Sequence, residues 1–241
     1  MTKHWFFSDP HFNHGNILKY CRRMCWMNED EKRLFDTDKS GSWKISLDSI
    51  QKMNAQIIKN INDHVAIDDV LWCMGDFCFA PEPNYFESAK ALRDRITCQT
   101  IHFIRGNHDN FNKIAPLFSS AHEHVHVSID SHTGKYWIGY DDVQGIKEAR
   151  RGQQIVMNHC AMAVWMRNNR GAWNLYGHSH SSAEAWLENA MPGRKAIDVG
   201  IDNIALVFGE GNAEDYRPVS FDELKIMMDK RPGVFVDHHK K

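Results

Sequence analysis

The sequence has no long apolar run and no excess of charge of either sign. No stretch reaches the about 18 consecutive apolar residues of a membrane span, and "MTKHWFFSDPHF" at the amino terminus is too polar for a signal peptide. The formal charge of −2 gives no overall electrostatic reason to bind nucleic acid or an anionic membrane. We therefore expect a cytoplasmic protein without a membrane partner.

A paired cysteine motif is also missing. The six cysteines contain no Cys-x-x-Cys, and the spacing of Cys21 and Cys25 is more typical of a helix than of half a metal site. No second thiol pair is present to complete a tetrahedral set. The cysteines are therefore expected to be reduced thiols.

Short apolar runs alternate with helical patterns along the 241 residues, which we interpret as one domain, 1–241. Several of the runs are almost wholly apolar, which favours a layered α/β fold with the sheet covered on both faces. The predicted strands are 4–8, 69–75, 100–106, 135–140, 154–158, 173–177 and 195–200.

Two helices are predicted from capping and periodicity. The stretch 46–62 carries apolar residues three to four apart behind Ser46, a candidate N-cap. The second helix is predicted to begin at Ser220, a candidate N-cap that forms a capping box with Glu223, and to end before Pro-Gly at 232–233. Between the first strand and the first of these helices, residues 22–44 are dense in charge and are predicted to form a surface excursion or a small cap.

Polar side chains follow five of the predicted strands. Each has an ordinary explanation when taken alone, such as a turn or a satisfied surface histidine. Carboxyl ends of strands line the ligand crevice of an open α/β sheet, however, and so many polar groups together are costly to bury without cations. The residues are Asp9, His11, Asp76, Asn107, His108, Asp109, His159, His178 and His180.

Spacing and glycines support a shared site. Residues i and i+2 of an extended segment point to the same side, so Asp9 with His11, and His178 with His180, can face one centre. Glycines at 75, 106 and 177 each precede a candidate ligand and permit close backbone approach.

The ordered set D-x-H, G-D, G-N-H-D, N-H and G-H-S-H over residues 9 to 180 resembles the calcineurin-like metallophosphoesterase family. Its small bacterial and phage members are similar to this chain in three further stretches, "WFFSDPHFNHGNILKYC", "DVGIDN" and "YRPVSFDELK". If the chain is phage-encoded, it is expected to act in the host cytoplasm. The resemblance implies a four-layer α/β/β/α sandwich with two divalent metal ions. Manganese is the first choice, with Fe, Zn, Mg, Co and Ni as alternatives.

The resemblance also implies a role for each residue of the motifs. Asp9, His11 and His180 would hold the first metal, and Asn107, His159 and His178 the second. Asp76 would bridge the two ions, and His108 would stay off the metals.

The chemistry of such a site follows from its charges. Two ions, two aspartates and a bridging hydroxide leave a centre of about +1, which attracts phosphate and supplies a nucleophile near neutral pH. Asn107 binds a metal without cancelling that charge. His108, paired with Asp109, suits protonation of the leaving alkoxide.

Other residues have two interpretations each. His14 is a phosphate or second-sphere contact, and Arg105 binds phosphate or forms a surface ion pair. In the loop 161–173, Trp165, Arg167 and Arg170 would hold a base or a second charge, although Trp165 fits a packed core equally well. His122, His124 and His126 alternate, which predicts an exposed strand in preference to an accessory metal site.

Three functional classes compete: a small-molecule phosphoesterase, a nuclease with the same centre, and a metal-binding module without turnover. The absence of a basic track argues against nucleic acid, and the presence of His108 argues against a simple binding module. We expect a small phosphate ester as substrate, first a (deoxy)nucleoside 5′-monophosphate, with a cyclic nucleotide as the alternative. The oligomeric state stays open.

Overall fold

A computed structural model describes residues 1–139 and 146–234. The strands in these ranges are β1 (His4–Phe7), β2 (Val70–Cys73), β3 (Thr100–Ile104), β4 (Ser120–His122), β5 (His124–Ile129), β6 (Tyr136–Ile138), β7 (Gln153–Asn158), β8 (Trp173–Tyr176), β9 (Ala196–Asp198) and β10 (Val219–Ser220). The α-helices are α1 (Gly15–Tyr20), α2 (Glu29–Thr37), α3 (Leu47–His64), α4 (Tyr85–Arg93), α5 (Phe111–Ile114), α6 (Lys147–Arg151), α7 (Glu184–Ala190), α8 (Ile201–Val207) and α9 (Phe221–Asp229). None of these helices has the length and hydropathy needed to cross a bilayer.

The strands form two five-stranded sheets. The first has the order β10-β1-β2-β3-β4, in which β1 to β4 run parallel and β10 is antiparallel to β1. The second has the order β6-β5-β7-β8-β9, in which β7 to β9 run parallel and β5 is antiparallel to both of its neighbours. The parallel strands therefore end together at one edge of each sheet.

Alternation along the strands separates three apolar layers. Phe6, Trp72 and Ile104 lie between the sheets with Ile155 and Leu175 of the second sheet. Neighbouring residues of the same strands face outward, where Phe7, Leu71 and Phe103 pack with residues of α3 and α4. On the outer side of the second sheet, Trp165, Tyr176 and Leu187 form a smaller cluster. The expected four-layer α/β/β/α arrangement is confirmed.

Most of the predicted elements are present. All seven predicted strands contain an observed strand, and Tyr140 at the end of one of them lies outside the described residues. Ser46 caps α3, and Ser220 with Glu223 forms the capping box of α9. The histidine run is divided, however, because His122 ends β4 of the first sheet and His124 begins β5 of the second. His126 is buried beside Gln154, so the expected exposed strand is wrong at that residue.

The first residues of the segment 22–44 do not form the surface excursion that was expected. Arg23 and Trp26 are buried, and α2 follows with a capping box between Asn28 and Glu31. The Glu31 carboxylate also accepts hydrogen bonds from the Ser46 amide (2.6 Å) and the Ser49 hydroxyl (2.6 Å). These contacts fasten α2 to the first turn of α3.

Candidate metal centre

The polar residues that follow β1, β2, β3, β7 and β8 meet at the carboxyl edge of the two sheets. Five of them have left-handed backbone torsions, with φ between 47° and 68°: Asp9, His11, Asp76, His178 and His180. Residues other than glycine rarely adopt this conformation, and where they do the strain is often associated with function.

The loops after β1 and β2 are held together by a short ladder of backbone hydrogen bonds. The His11 amide donates to the Asp76 carbonyl (3.0 Å), and the Phe12 amide donates to the Phe77 carbonyl (3.0 Å). The Phe79 amide then donates to the Phe12 carbonyl (2.8 Å). The side chains of Asp9, His11 and Asp76 are thus fixed by backbone contacts.

Asp9, His11 and His180 form the first group of candidate ligands. Asp9 Oδ1 lies 3.8 Å from Nε2 of both His11 and His180. Asp9 Oδ1 and His11 Nε2 are buried and have no hydrogen-bond partner among the described residues. Because an unpaired buried carboxylate oxygen is costly, a cation that contacts both atoms fits this group.

Asp76, His159 and His178 form the second group, and Asn107 lies among them. Asn107 Oδ1 is 3.0 Å from His159 Nε2 and 2.8 Å from His178 Nδ1. His159 Nδ1 lies 2.7 Å from the Met74 carbonyl, so its Nε2 is the nitrogen turned toward the group. Imidazole, carboxylate and amide oxygen together suit a divalent transition ion.

The Asp76 carboxylate lies between the two groups. Its Oδ2 is 3.4 Å from His11 Nε2 and 3.4 Å from His159 Nε2. Its Oδ1 accepts the backbone amide of His108 (2.9 Å). One oxygen therefore faces both ligand groups while the other positions the next loop.

Two glycines permit this crowding. A Cβ at Gly106 would fall on Asp76 Oδ1, and a Cβ at Gly177 would fall on Asp9 Oδ2 and the Ser8 hydroxyl. Because neither the carboxylates nor the strand ends can move away, these positions exclude a side chain.

His180 is oriented from behind by Asp202. His180 Nδ1 lies 2.7 Å from Asp202 Oδ2, and Arg23 binds the same carboxylate through Nε and Nη2, each at 2.8 Å. Arg23 also donates to the backbone carbonyls of Asp9 (2.9 Å) and Pro10 (3.0 Å). Carboxylates commonly orient histidine ligands of metals in this way.

A third group, Cys21 with His180 and Asp202, shares residues with this network. Asp202 is already neutralised there by the fully buried guanidinium of Arg23. A cation at this third position would lie beside that positive charge, so the first two groups suit a cation better.

Sequence reasoning missed Arg23, Asp198 and Asp202. Asp198 accepts the Ser179 hydroxyl (2.7 Å) and the amides of Ser181 (3.1 Å) and Gly200 (2.7 Å), and so holds the loop that carries His178 and His180. The stretch "DVGIDN" contains both aspartates and was a signal for this part of the site. Nothing in the sequence signals Arg23.

The environment shifts the pKa of several candidate ligands in different directions. Burial raises the pKa of Asp9 to about 6 and lowers that of His11 to about 2. Burial opposes the charge of Asp76 too, but its contacts with His159 outweigh burial and lower the pKa to about 2. Burial lowers the pKa of His159, but the hydrogen bond with Asp76 and the charges of Asp9 and Asp76 together outweigh it and raise the pKa to about 9. His11 is thus a neutral donor at neutral pH, whereas His159 must lose a proton to bind metal.

His108 and Asp109 follow the centre but face different surroundings. His108 is exposed, and its ring lies 5.6 Å from that of His11. Asp109 is buried, and its carboxylate accepts the amides of Asp76 (2.8 Å), Phe77 (3.0 Å) and Gly106 (2.8 Å). Among the described residues no hydrogen bond joins it to the His108 ring, so the expected His108–Asp109 pair is wrong. Asp109 instead ties the second loop to the third.

His14 and Arg105 lie at the same edge of the sheets. The His14 ring is 5.4 Å from that of His11. The Arg105 guanidinium is exposed and forms an ion pair with Glu123 (3.0 Å), which is the surface pair that was one of its two interpretations.

Trp165, Arg167 and Arg170 do not line the centre, and the expected substrate contacts are wrong for all three. Trp165 is buried in the outer cluster and donates its indole N–H to the Ala172 carbonyl (2.8 Å). Arg167 and Arg170 line a cavity of about 440 Å³ with Gln153, at the amino end of β7. β7 and β8 are parallel, so the chain that connects them must return to their amino ends. The amino end of β7 is roughly 20 Å along the strand from His159, which follows its carboxyl end.

Comparisons with known proteins agree with this geometry. A family model described as calcineurin-like phosphoesterase matches residues 2–182. An uncharacterized protein of Methanocaldococcus jannaschii, MJ1445, is 26% identical over 230 residues, which are 95% of this chain and 93% of that protein. The crystal structure of AQ665 from Aquifex aeolicus, a protein of unknown function, is similar in fold, with a TM-score of 0.54 and 16% identity over 94% of this chain and 100% of that chain.

This chain belongs to the calcineurin-like phosphoesterase family. It is therefore a metal-dependent phosphoesterase, a hydrolase that uses divalent metal ions. The two ligand groups and the unpaired buried atoms of Asp9 and His11 fit such ions.

Proposed function

We propose that the chain is a dinuclear phosphomonoesterase that hydrolyses nucleoside 5′-monophosphates, including deoxynucleotides, with manganese as its preferred metal. The observation that carries the dinuclear part is the position of Asp76 Oδ2, 3.4 Å from a nitrogen of each ligand group. A carboxylate oxygen at that place can contact two ions at once, whereas one ion of ordinary geometry has too few positions for all seven ligands.

Each residue has a proposed task in the reaction. Asp9, His11 and His180 would hold one ion, Asn107, His159 and His178 would hold the other, and Asp76 would contact both. When bound, such an ion pair binds the phosphoryl oxygens and lowers the pKa of a water between the ions. His108 stands at the open side of the centre, where its ring protonates the leaving oxygen of the nucleoside. The contact between Asp76 Oδ1 and the His108 amide holds the backbone that carries that ring.

Charge favours a small monoester over a polymer. A centre of about +1 attracts the two negative charges of a monoester more than the single charge of a diester. At the rim, Arg105 and Lys113 are ion-paired with Glu123 and Glu82. These two cations are thus engaged with acids, which does not favour a basic track through them for a polymer backbone.

The substrate is tested by comparing kcat/KM for the 5′-mononucleotides, 3′,5′-cyclic nucleotides and short single strands. The protein is loaded in turn with Mn, Fe, Zn, Mg, Co and Ni, and metal content is measured each time. We expect two ions per chain and the highest kcat/KM with a monophosphate in Mn. A higher value for a cyclic diester or an oligonucleotide would overturn the nucleotidase proposal, and full activity with one ion would overturn the dinuclear one.

His108 provides a separate prediction. His108→Ala should retain both ions and lose roughly 10²-fold or more in kcat for nucleotides, whose alkoxide leaving group needs a proton. Aryl phosphates with acidic leaving groups should lose much less. An equal loss on both substrates, or a loss of metal, would show that His108 is not the acid.

A further inference from the structure

Two exposed aromatic side chains lie beside the metal centre. Among the exposed large apolar residues of the described chain, three are aromatic: Tyr20 (70% exposed), Phe79 (50%) and Trp186 (69%). Tyr20 and Phe79 both contact the same residue, His14. Two neighbouring exposed rings leave apolar surface in water, which is the usual property of a binding surface.

Ring contacts through His14 connect the candidate ligand His11 with the two exposed rings. The His14 ring lies 5.4 Å from that of the candidate ligand His11. Phe79 stacks on His14 with centroids 4.8 Å apart and planes at 23°. Tyr20 meets His14 edge-on, at 6.3 Å and 70°.

Both exposed rings are held by rigid parts of the fold. Phe79 follows the backbone ladder that joins the first two loops, and its amide donates to the Phe12 carbonyl. Tyr20 ends α1, whose residues Ile17 and Leu18 are buried in the outer core. The backbone that carries these rings is therefore fixed relative to Asp9, His11 and Asp76.

We propose that Tyr20, His14 and Phe79 form an aromatic subsite on which the base of the nucleotide stacks while its phosphate lies at the metal centre. The proposal rests on the proposed function and assigns the nucleobase to a place other than the loop 161–173. The exposed rings of Phe79 and Tyr20 provide apolar surface on which a base can stack. Stacking tolerates any base because every base has a π face, so we expect similar kcat/KM values for purine and pyrimidine nucleotides.

The subsite is tested by the selectivity between adenosine 5′-monophosphate and ribose 5-phosphate, which share the phosphate and sugar and differ in the base. Phe79→Leu and Tyr20→Leu remove one ring each and keep an apolar side chain. The ratio of kcat/KM values should fall roughly 5- to 100-fold in Phe79→Leu, which is the usual range for the loss of one stacked base. Ile67→Ala is the matched control, because Ile67 is exposed and lies before β2, at the opposite end of the first sheet.

A second measurement does not depend on hydrolysis. Saturation-transfer NMR uses adenosine, which lacks the phosphate. The wild type and the Ile67→Ala control should give a transfer signal at the base protons, and the Phe79→Leu, Tyr20→Leu double variant should lose that signal. An unchanged selectivity ratio together with unchanged transfer would overturn the subsite. If the wild type hydrolyses no nucleotide, the proposed function fails, and the transfer experiment alone then decides whether these rings bind a base.

Discussion

The buried guanidinium of Arg23 connects parts of the chain that are 179 residues apart. It binds Asp202, which orients His180, and it donates to the backbone of Asp9 and Pro10. One side chain thus supports two of the three candidate ligands of the first group. Burying such a charge is tolerable because the guanidinium is paired with a carboxylate and donates to two backbone carbonyls.

Replacing Asp202 by Asn should weaken the first metal position selectively. The change removes the charge behind His180, and loss of such a partner typically costs about 10- to 100-fold in metal affinity. Calorimetric titration with Mn²⁺ should show one weakened binding step and one nearly unchanged step. Asp48→Asn, an exposed ion-paired aspartate of α3, is the control. Equal weakening of both steps would mean that Asp202 acts through general stability and not through His180.

The sequence predicted the candidate ligands better than it predicted their support. Asp9, His11, His178 and His180 could be predicted because they follow apolar strands directly, but the extended alternation expected of them is wrong, since all four have left-handed torsions. Arg23 was not visible, because its partners are set by tertiary packing. The expected substrate contacts of Arg167 and Arg170 are wrong for a physical reason. A connection between parallel strands has to return to their amino ends, and it carries these two arginines away from the metal centre.

Among the strands, β3 carries a histidine that joins the two sheets. His102 of β3 lies 2.7 Å from the Ser120 hydroxyl and 2.9 Å from the Tyr136 hydroxyl of β6, and it stacks on Trp72. Burial lowers the pKa of His102 to about 4. The ring is therefore neutral in the folded protein at a pH where the unfolded chain would bind a proton.

This difference predicts a loss of stability in acid. Below the unfolded pKa of about 6.5 the unfolded state binds a proton that the folded state does not, so stability falls until the pH reaches about 4. The contribution is roughly 2–3 kcal/mol over this window. In metal-free buffer, His102→Phe should show a smaller decrease of Tm between pH 6.5 and 4.5 than the wild type. The exposed His124→Gln should keep the wild-type slope, and an unchanged slope in His102→Phe would contradict the assignment.

The division of the histidine run between β4 and β5 could not be predicted from periodicity. Alternating residues on both sides of Glu123 look like one strand, yet β4 pairs with β3 and β5 pairs with β7. Only the hydrogen-bond pairing of the folded chain places the two strands in different sheets.

Across the whole molecule, the candidate metal centre draws on both sheets. Asp9, His11, Asp76 and Asn107 follow strands of the first sheet, whereas His159, His178 and His180 follow strands of the second. Ions held by both sets would link the two halves of the sandwich in addition to the apolar layer between them.

Chelation should therefore lower the stability of the entire fold. A ligand at 100 times its Kd stabilises the folded state by about 2.7 kcal/mol. For a chain of this size that corresponds to a Tm difference of roughly 5–10 °C between metal-loaded and EDTA-treated protein. Asp76→Asn should lose most of this difference, whereas Cys160→Ser, at an exposed thiol, should keep it. Equal Tm values with and without metal in the wild type would show that the ions do not link the sheets.

The left-handed torsions at Asp9, His11, Asp76, His178 and His180 have a consequence for laboratory evolution. Glycine adopts such torsions without the roughly 1 kcal/mol that a side chain costs there. A library of this chain selected only for thermal resistance, in the presence of a chelator, would therefore be enriched in glycine at these positions. The same enrichment is expected at Asn13, Arg22, Arg167 and Ser181, which also have positive φ, so a sequencing readout would mark the strained positions of the chain, those of the metal centre among them.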